Sequence, residues 1–209
     1  MPNKSILIPK NAKQLFISGP VGQLDSLILT PINKPIGIAI ICHPDPKGGG
    51  TYTNKIVQTI AKVLTEHGYL CCCPNLRGVG ESAGTHDFGR GEVADLAAIY
   101  QFLHEQYTDL PLILAGFSFG SSVVSQLAAK VIYKWLILIG PAVTNYPVEV
   151  LDNSKTIVIH GELDDIIPVA AVLEWGRKYN QAIIWVPGCG HFFHGKLLNL
   201  QILLNTIAL

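Results

Sequence analysis

The sequence predicts an α/β fold: a mostly parallel central sheet with an antiparallel N-terminal portion and helices on both faces. Three observations predict it. Five apolar runs of strand length, "GYLCCCPN", "PLILAGFS", "KWLILIGP", "KTIVIHGE" and "AIIWVPG", are continuous and not alternating, the pattern of strands covered on both sides. Helical periods separate most of them, over 54–67, 92–107, 119–131 and 169–179, so the two kinds of element alternate. The opening third holds only short β-rich runs punctuated by turns, which supply the antiparallel portion.

In chain order, "SILI", "QLFIS", "DSLILT" and "IGIAIICH" come first, separated by turn residues such as Gly19-Pro20 and those at 31–35. The helix at 54–67 leads into "GYLCCCPN". Its three adjacent cysteines, Cys71, Cys72 and Cys73, point alternately to the two faces of a strand, so they read as apolar filling and not as a disulfide framework. The helix at 92–107 leads to "PLILAGFS", the helix at 119–131 to "KWLILIGP", and the helix at 169–179 connects "KTIVIHGE" to "AIIWVPG". A last helix is expected in "GKLLNLQILLNTIAL".

Composition narrows the function. The chain has 209 residues, 49% hydrophobic and 14% charged, which suits one domain with a full core and excludes disorder. Fifteen basic residues balance fifteen acidic ones, so no global field calls for nucleic acid or an anionic membrane. No apolar run reaches membrane-spanning length, and "MPNKSILIPK" lacks the apolar centre of a secretory signal. The five cysteines fit a reducing compartment, and the expected location is cytoplasmic.

The chemistry begins at "GFSFG", Gly116 to Gly120. A lone Ser118 between two phenylalanines suits neither a buried strand nor a solvent turn. The G-x-S-x-G spacing is that of a nucleophile elbow, a tight strand-to-helix turn that exposes a serine hydroxyl. In parallel sheets function collects beyond the carboxyl ends of the strands, and Ser118 falls there. A serine hydroxyl needs an adjacent base, and the base needs an orienting acid. "KTIVIHGELDDIIP" offers Asp164 and Asp165 after a strand, with Glu162 a weaker third. "AIIWVPGCGHFFHG" offers His191 and His194 on a glycine-punctuated loop before the last helix. The order Ser, acid, His is the one this elbow requires.

"CHPDPKGGGTYTNK", "NLRGVGESAG", "GRGEVAD", "GFSFG", "HGELDD" and "GHFFHG" together resemble the small, lidless α/β-hydrolases of bacterial type related to dienelactone-hydrolase-like proteins. The resemblance covers the whole chain. It implies an α/β-hydrolase fold without a lid domain, with Ser118 as nucleophile, Asp164 as acid and His191 as base. Dienelactone hydrolases proper carry cysteine in the elbow, so their substrate does not follow. Asn75 stands where many relatives have aspartate, outside the reacting residues.

The remaining candidates have competing readings. Asp164 lies three residues after the turn glycine Gly161, leaving Asp165 to cap the helix near Pro168. Cys189, His191 and His194 superficially suggest a metal cluster, but a ligand His191 could not serve as base, so no metal and no cofactor is expected. His194 is expected to cap or pack at the last helix. The loop "HPDPKGGG" follows the strand that supplies a second oxyanion donor. The first donor is the Phe119 amide; Pro44 and Pro46 have no N–H, which points to Asp45, with Lys47 or Gly48 as weaker candidates. His43 is read as structural, and Arg77, Asp87, Arg90 and Glu92 as a charge network bracing a loop.

The expected function is hydrolysis of small carboxylic esters through a Ser118–His191–Asp164 triad and an acyl-enzyme. A small-molecule acyl substrate is the expected partner. A thioesterase or small peptidase with the same triad, and a non-catalytic binding protein on this fold, are the rivals. Only fourteen residues, 141–154, lie where related folds insert a cap. The site is therefore expected to be shallow, walled by Phe117, Phe119, Tyr52, Phe192 and Tyr146.

Overall fold

The computed structural model describes residues 12–207. The "SILI" run and the N-terminal decapeptide lie outside these residues, as do the last two. Among the described residues, eight strands form one sheet in the order β1-β2-β4-β3-β5-β6-β7-β8. β1 (Ala12–Gly19) and β2 (Gly22–Leu29) make a hairpin, and β2 runs antiparallel to β4 (Tyr69–Pro74). From β4 through β3 (Gly37–Cys42), β5 (Leu112–Phe117), β6 (Trp135–Ile139), β7 (Thr156–Gly161) and β8 (Ile184–Val186), every pairing is parallel.

Alternation along the central strands divides the core in two. Ile38, Ile40, Leu112, Leu114, Leu136, Leu138 and Val158 point to one side. There they meet α2 (Arg90–Gln106), α3 (Phe119–Ala128) and α4 (Val169–Tyr179). Ala39, Ile41, Ile113, Ala115, Ile137 and Ile159 point to the other side and meet α1 (Lys55–Glu66) and α5 (Leu197–Thr206). The cysteine triplet obeys the same parity: Cys72 joins the first cluster, Cys71 and Cys73 the second. All five cysteines are free thiols, and burial pushes Cys71 and Cys72 up to about 12, which makes them inert packing groups.

Several boundaries differ from expectation. α2 starts two residues early, at Arg90, because Glu92 Oε2 accepts the Gly89 amide and closes the first turn. α3 stops at Ala128, three residues short of the expected end. α5 begins at Leu197, and its N-cap is Lys196 with no side-chain cap. His194 therefore does not cap it; its ring stacks on Phe192 at 5.8 Å between centroids. Nor does Asp165 cap α4, whose N-cap is Pro168. The amides before that helix, Ile166 and Ile167, donate instead to Asp164 Oδ1, at 3.0 and 2.8 Å. Asp164 is buried within the turn and Asp165 is exposed, so the Asp164 carboxylate is the one the amides meet.

Candidate active site

The elbow answers the question of the two phenylalanines. Phe117 ends β5 in one half of the core and Phe119 starts α3 in the other, both fully buried. Each such ring contributes roughly 1.5–3 kcal/mol of apolar burial. Ser118, between them, has φ 54° and ψ −119° and points into neither half. The flanking glycines are sterically required: a Cβ on Gly116 would strike the Gly120 backbone, and one on Gly120 would strike the Cys42 and His43 carbonyls. Ser121 braces the turn, its hydroxyl donating to the Gly116 carbonyl at 2.8 Å.

Three loops at the carboxyl ends of β5, β7 and β8 bring Ser118, Asp164 and His191 together. His191 Nδ1 lies 2.7 Å from Asp164 Oδ2, and His191 Nε2 lies 3.1 Å from Ser118 Oγ. Asp164, an acceptor, receives the hydrogen bond of Nδ1–H and so leaves Nε2 as a lone pair facing the hydroxyl. All three residues are buried. Burial pushes the Asp164 carboxyl up, but the hydrogen bonds from His191 and the Ile167 amide outweigh it and hold the group below the usual carboxylate range. Asp165 is exposed and takes no part. Glu162 accepts the Gly188 amide at 2.8 Å, tying the acid loop to the histidine loop.

The loop after β3 lies against the elbow, because Gly120 sits on the Cys42 and His43 carbonyls. Asp45 carbonyl accepts the Gly48 and Gly50 amides, its Oδ1 the Lys47 amide at 2.8 Å, and its Oδ2 the Tyr146 hydroxyl at 2.8 Å. Tyr146 in turn meets the Phe119 ring edge-on at 4.8 Å. Among the described residues, neither the Asp45 nor the Phe119 amide has a hydrogen-bond acceptor. His43 is structural: its Nδ1–H donates to the Pro44 carbonyl at 2.7 Å and its Nε2 accepts the Leu76 amide at 3.1 Å.

The charge network also braces loops. Arg77 grips Asp95 bidentately, at 2.9 and 2.7 Å, and Glu92 accepts the Asp87 amide at 2.7 Å. Asn75 donates to Asp25 Oδ2 at 3.0 Å and accepts the Tyr52 amide. An aspartate at position 75 would set two carboxylates against each other, so the amide suits this chain. Phe117 and Phe119 are not open walls as expected; both are fully buried, the Phe117 ring tilted against His191 at 5.0 Å between centroids. Phe192 is half-exposed and borders a cavity of about 200 Å³ with Asn54, Lys55 and His194. A larger cavity, about 450 Å³, opens among Tyr100, Tyr133 and Lys134 at the amino ends of β5 and β6, at the other end of the sheet from Ser118. Two features went unread in the sequence: the Tyr146–Asp45 contact, which nothing local signals, and His160. The latter had a signal, a titratable residue directly after the apolar run "IVI".

Residues 33–157 match the family model described as serine aminopeptidase S33, more than half of the chain. The chain belongs to this hydrolase family. The matched span contains Ser118 and ends before Asp164 and His191. A solved α/β serine hydrolase without lid from Xanthomonas campestris is 35% identical, with TM-score 0.89 over 96% of this chain and 94% of its own. An α/β serine hydrolase homologue from Coxiella burnetii is 32% identical, with TM-score 0.85 over 97% and 99%. An uncharacterized protein of Rickettsia prowazekii is 33% identical over 118 residues, so the match spans 56% of this chain and half the length of that curated relative. The S33-family chain is thus an α/β-hydrolase whose described residues form an eight-stranded sheet, and one of the solved structures similar to it is without a lid.

Proposed function

We propose that the protein is a serine hydrolase of small carboxylic esters. The observation that carries the reading is the continuous chain Ser118 Oγ–His191–Asp164 Oδ2, with links of 3.1 and 2.7 Å. His191 Nε2 takes the Ser118 proton as the oxygen attacks the acyl carbonyl. Asp164 keeps Nδ1 protonated and stabilises the imidazolium. The unpaired amides of Phe119 and Asp45 receive the oxyanion, a contribution of roughly 3–4 kcal/mol each. His191 then protonates the departing alcohol, and a water deprotonated by the same nitrogen releases the acid. These residues need no metal or cofactor. Among the described residues no helix is long and apolar enough to cross a membrane. Five buried free thiols support a cytoplasmic site of action.

The test is fluorophosphonate labelling of the folded protein, followed by a panel of esters, thioesters and aminoacyl amides. An adduct on Ser118, absent in Ser118→Ala, and fastest turnover on esters are expected. No adduct in folded protein would leave a binding role ahead. The description of the matched family favours a second reading, peptide-bond hydrolysis at an amino terminus, which faster turnover of aminoacyl amides would establish.

A further inference from the structure

His160 closes β7 as a fully buried imidazole in an apolar strand. Its Nε2 lies 3.0 Å from the Ile167 carbonyl, which can only accept, so Nε2 carries the proton. The same nitrogen faces Asp164 Oδ2 at 3.5 Å, the oxygen that accepts the His191 Nδ1–H at 2.7 Å. The other ring nitrogen, Nδ1, is a buried lone pair with no hydrogen-bond partner among the described residues. The edge of the ring contacts Trp185, at 5.6 Å between centroids. An unpaired buried acceptor is destabilising, and an aliphatic side chain would finish this strand without one. The three residues before it, Ile157, Val158 and Ile159, are aliphatic. Something other than stability accounts for a histidine here.

We infer that His160 is a positioning residue for Asp164, its Nε2–H pinning the acid loop and lying against the oxygen that His191 uses. This rests on the proposed roles of Ser118, His191 and Asp164. The loop from 161 to 167 wraps the acid: Asp164 amide donates to the Gly161 carbonyl at 3.3 Å, and Asp164 Oδ1 takes the Ile166 and Ile167 amides. His160 closes that ring from behind by holding the Ile167 carbonyl. Oδ1 is thereby committed to the loop, and Oδ2 is left facing His191. The titratable groups around His160 are Asp164 and His191; Cys189 also faces Asp164, and Lys196 faces Cys189. Burial holds the His160 imidazole below its usual range against the pull of Asp164, so it acts as a neutral donor.

The experiment compares His160→Leu and His160→Gln with the parent protein. It reads kcat and KM on a short-chain ester, thermal unfolding, and the downfield proton NMR signal of the His191–Asp164 hydrogen bond. Leu should lower kcat about 10- to 100-fold, the scale on which a support behind a site group acts, with KM little changed. Its melting temperature should be equal or higher, and the downfield proton broadened or lost. Gln, whose terminal N–H can reach the Ile167 carbonyl, should retain the signal and most of kcat. A Leu variant with full kcat and an unchanged downfield proton overturns the inference. So does an equal fall of kcat and melting temperature in both variants, which would make His160 a packing residue only. If the parent protein neither turns over esters nor labels at Ser118, the esterase reading fails; the NMR comparison still decides the role of His160.

Discussion

Ser118 is held at φ 54°, where a side chain costs on the order of 1–3 kcal/mol of backbone strain. The two flanking rings, anchored in opposite halves of the core, and the Ser121 hydroxyl resist its relaxation. If the proposed triad acts as a unit, Ser118→Ala, His191→Ala and Asp164→Asn should each cost several orders of magnitude in kcat. Their combinations should be far from additive. Asp165→Asn should cost less than about tenfold, since the side chain touches neither His191 nor the helix; steady-state kinetics on one ester decides. His43 makes a separate prediction about pH. Burial lowers its imidazole from 6.5 to about 4, and the neutral ring keeps Nε2 bare to accept the Leu76 amide. The unfolded chain therefore takes up this proton first as pH falls. The contribution is complete above pH 6.5 and drains away towards pH 4, a loss of roughly 3 kcal/mol from this group. Urea unfolding from pH 7 down to 4.5 should show the decline, and His43→Gln should flatten it. The depressed Asp164 carboxyl acts in a lower window, its contribution lost only as pH falls below the usual carboxylate range.

The site elements are positioned by close backbone approach. The loop after β7, which carries Asp164, lies on the loop after β8, which carries His191: the Leu163 amide donates to the Cys189 carbonyl at 2.8 Å, and the Glu162 amide to the Val186 carbonyl at 3.1 Å. Gly161 allows this, since a Cβ there would collide with the Cys189 carbonyl, a backbone atom that cannot rotate away. Gly161→Ala should push the loops apart, lower kcat at least about tenfold, and reduce the melting temperature by several degrees. Gly48→Ala is the matched control, because nothing lies within 4 Å of its added carbon. Equal kinetics in the two variants would mean that the loop contact does not set the geometry of the site.

Over the whole molecule, the deciding feature is what does not cover the sheet's carboxyl edge. Between β6 and β7 the chain makes only loop and one short turn of helix, at Asn153–Lys155. The cavity of about 200 Å³ beside Phe192 is lined by Asn54, Lys55, Ile56 and His194 and not by Ser118 or His191, so it is no acyl tunnel leading from the nucleophile. A long acyl chain would stay in water, forgoing about 0.8 kcal/mol for each methylene left unburied. Acetyl to butyryl esters should therefore be turned over better than octanoyl or longer, with no interfacial activation. A kcat/KM that climbs steadily from acetyl to dodecanoyl esters would contradict this.

The eight described strands and five described helices were legible because burial on both faces forces continuous apolar runs, and helices between them keep a 3.6-residue period. The spacing in "GFSFG", "HGELDD" and "GHFFHG" named the residues that the structure brings within hydrogen-bond reach, since an elbow and its partner loops impose local patterns of glycine and polar residues. Other features had no local pattern to betray them. Which carboxylate caps the turn before α4 depended on where Asp164 and Asp165 point; the sequence assigned the cap to Asp165, and packing assigned it to Asp164. The boundary of α2 depended on a carboxylate folding back onto Gly89. The Tyr146–Asp45 bond joins residues 101 positions apart, and His160 meets Ile167 only once β7 and its loop have closed. Period and spacing are properties of neighbours along the chain, so the sequence by itself determined the elements and the candidate site. Contacts between distant residues depend on how the elements pack, and only the tertiary structure decided those.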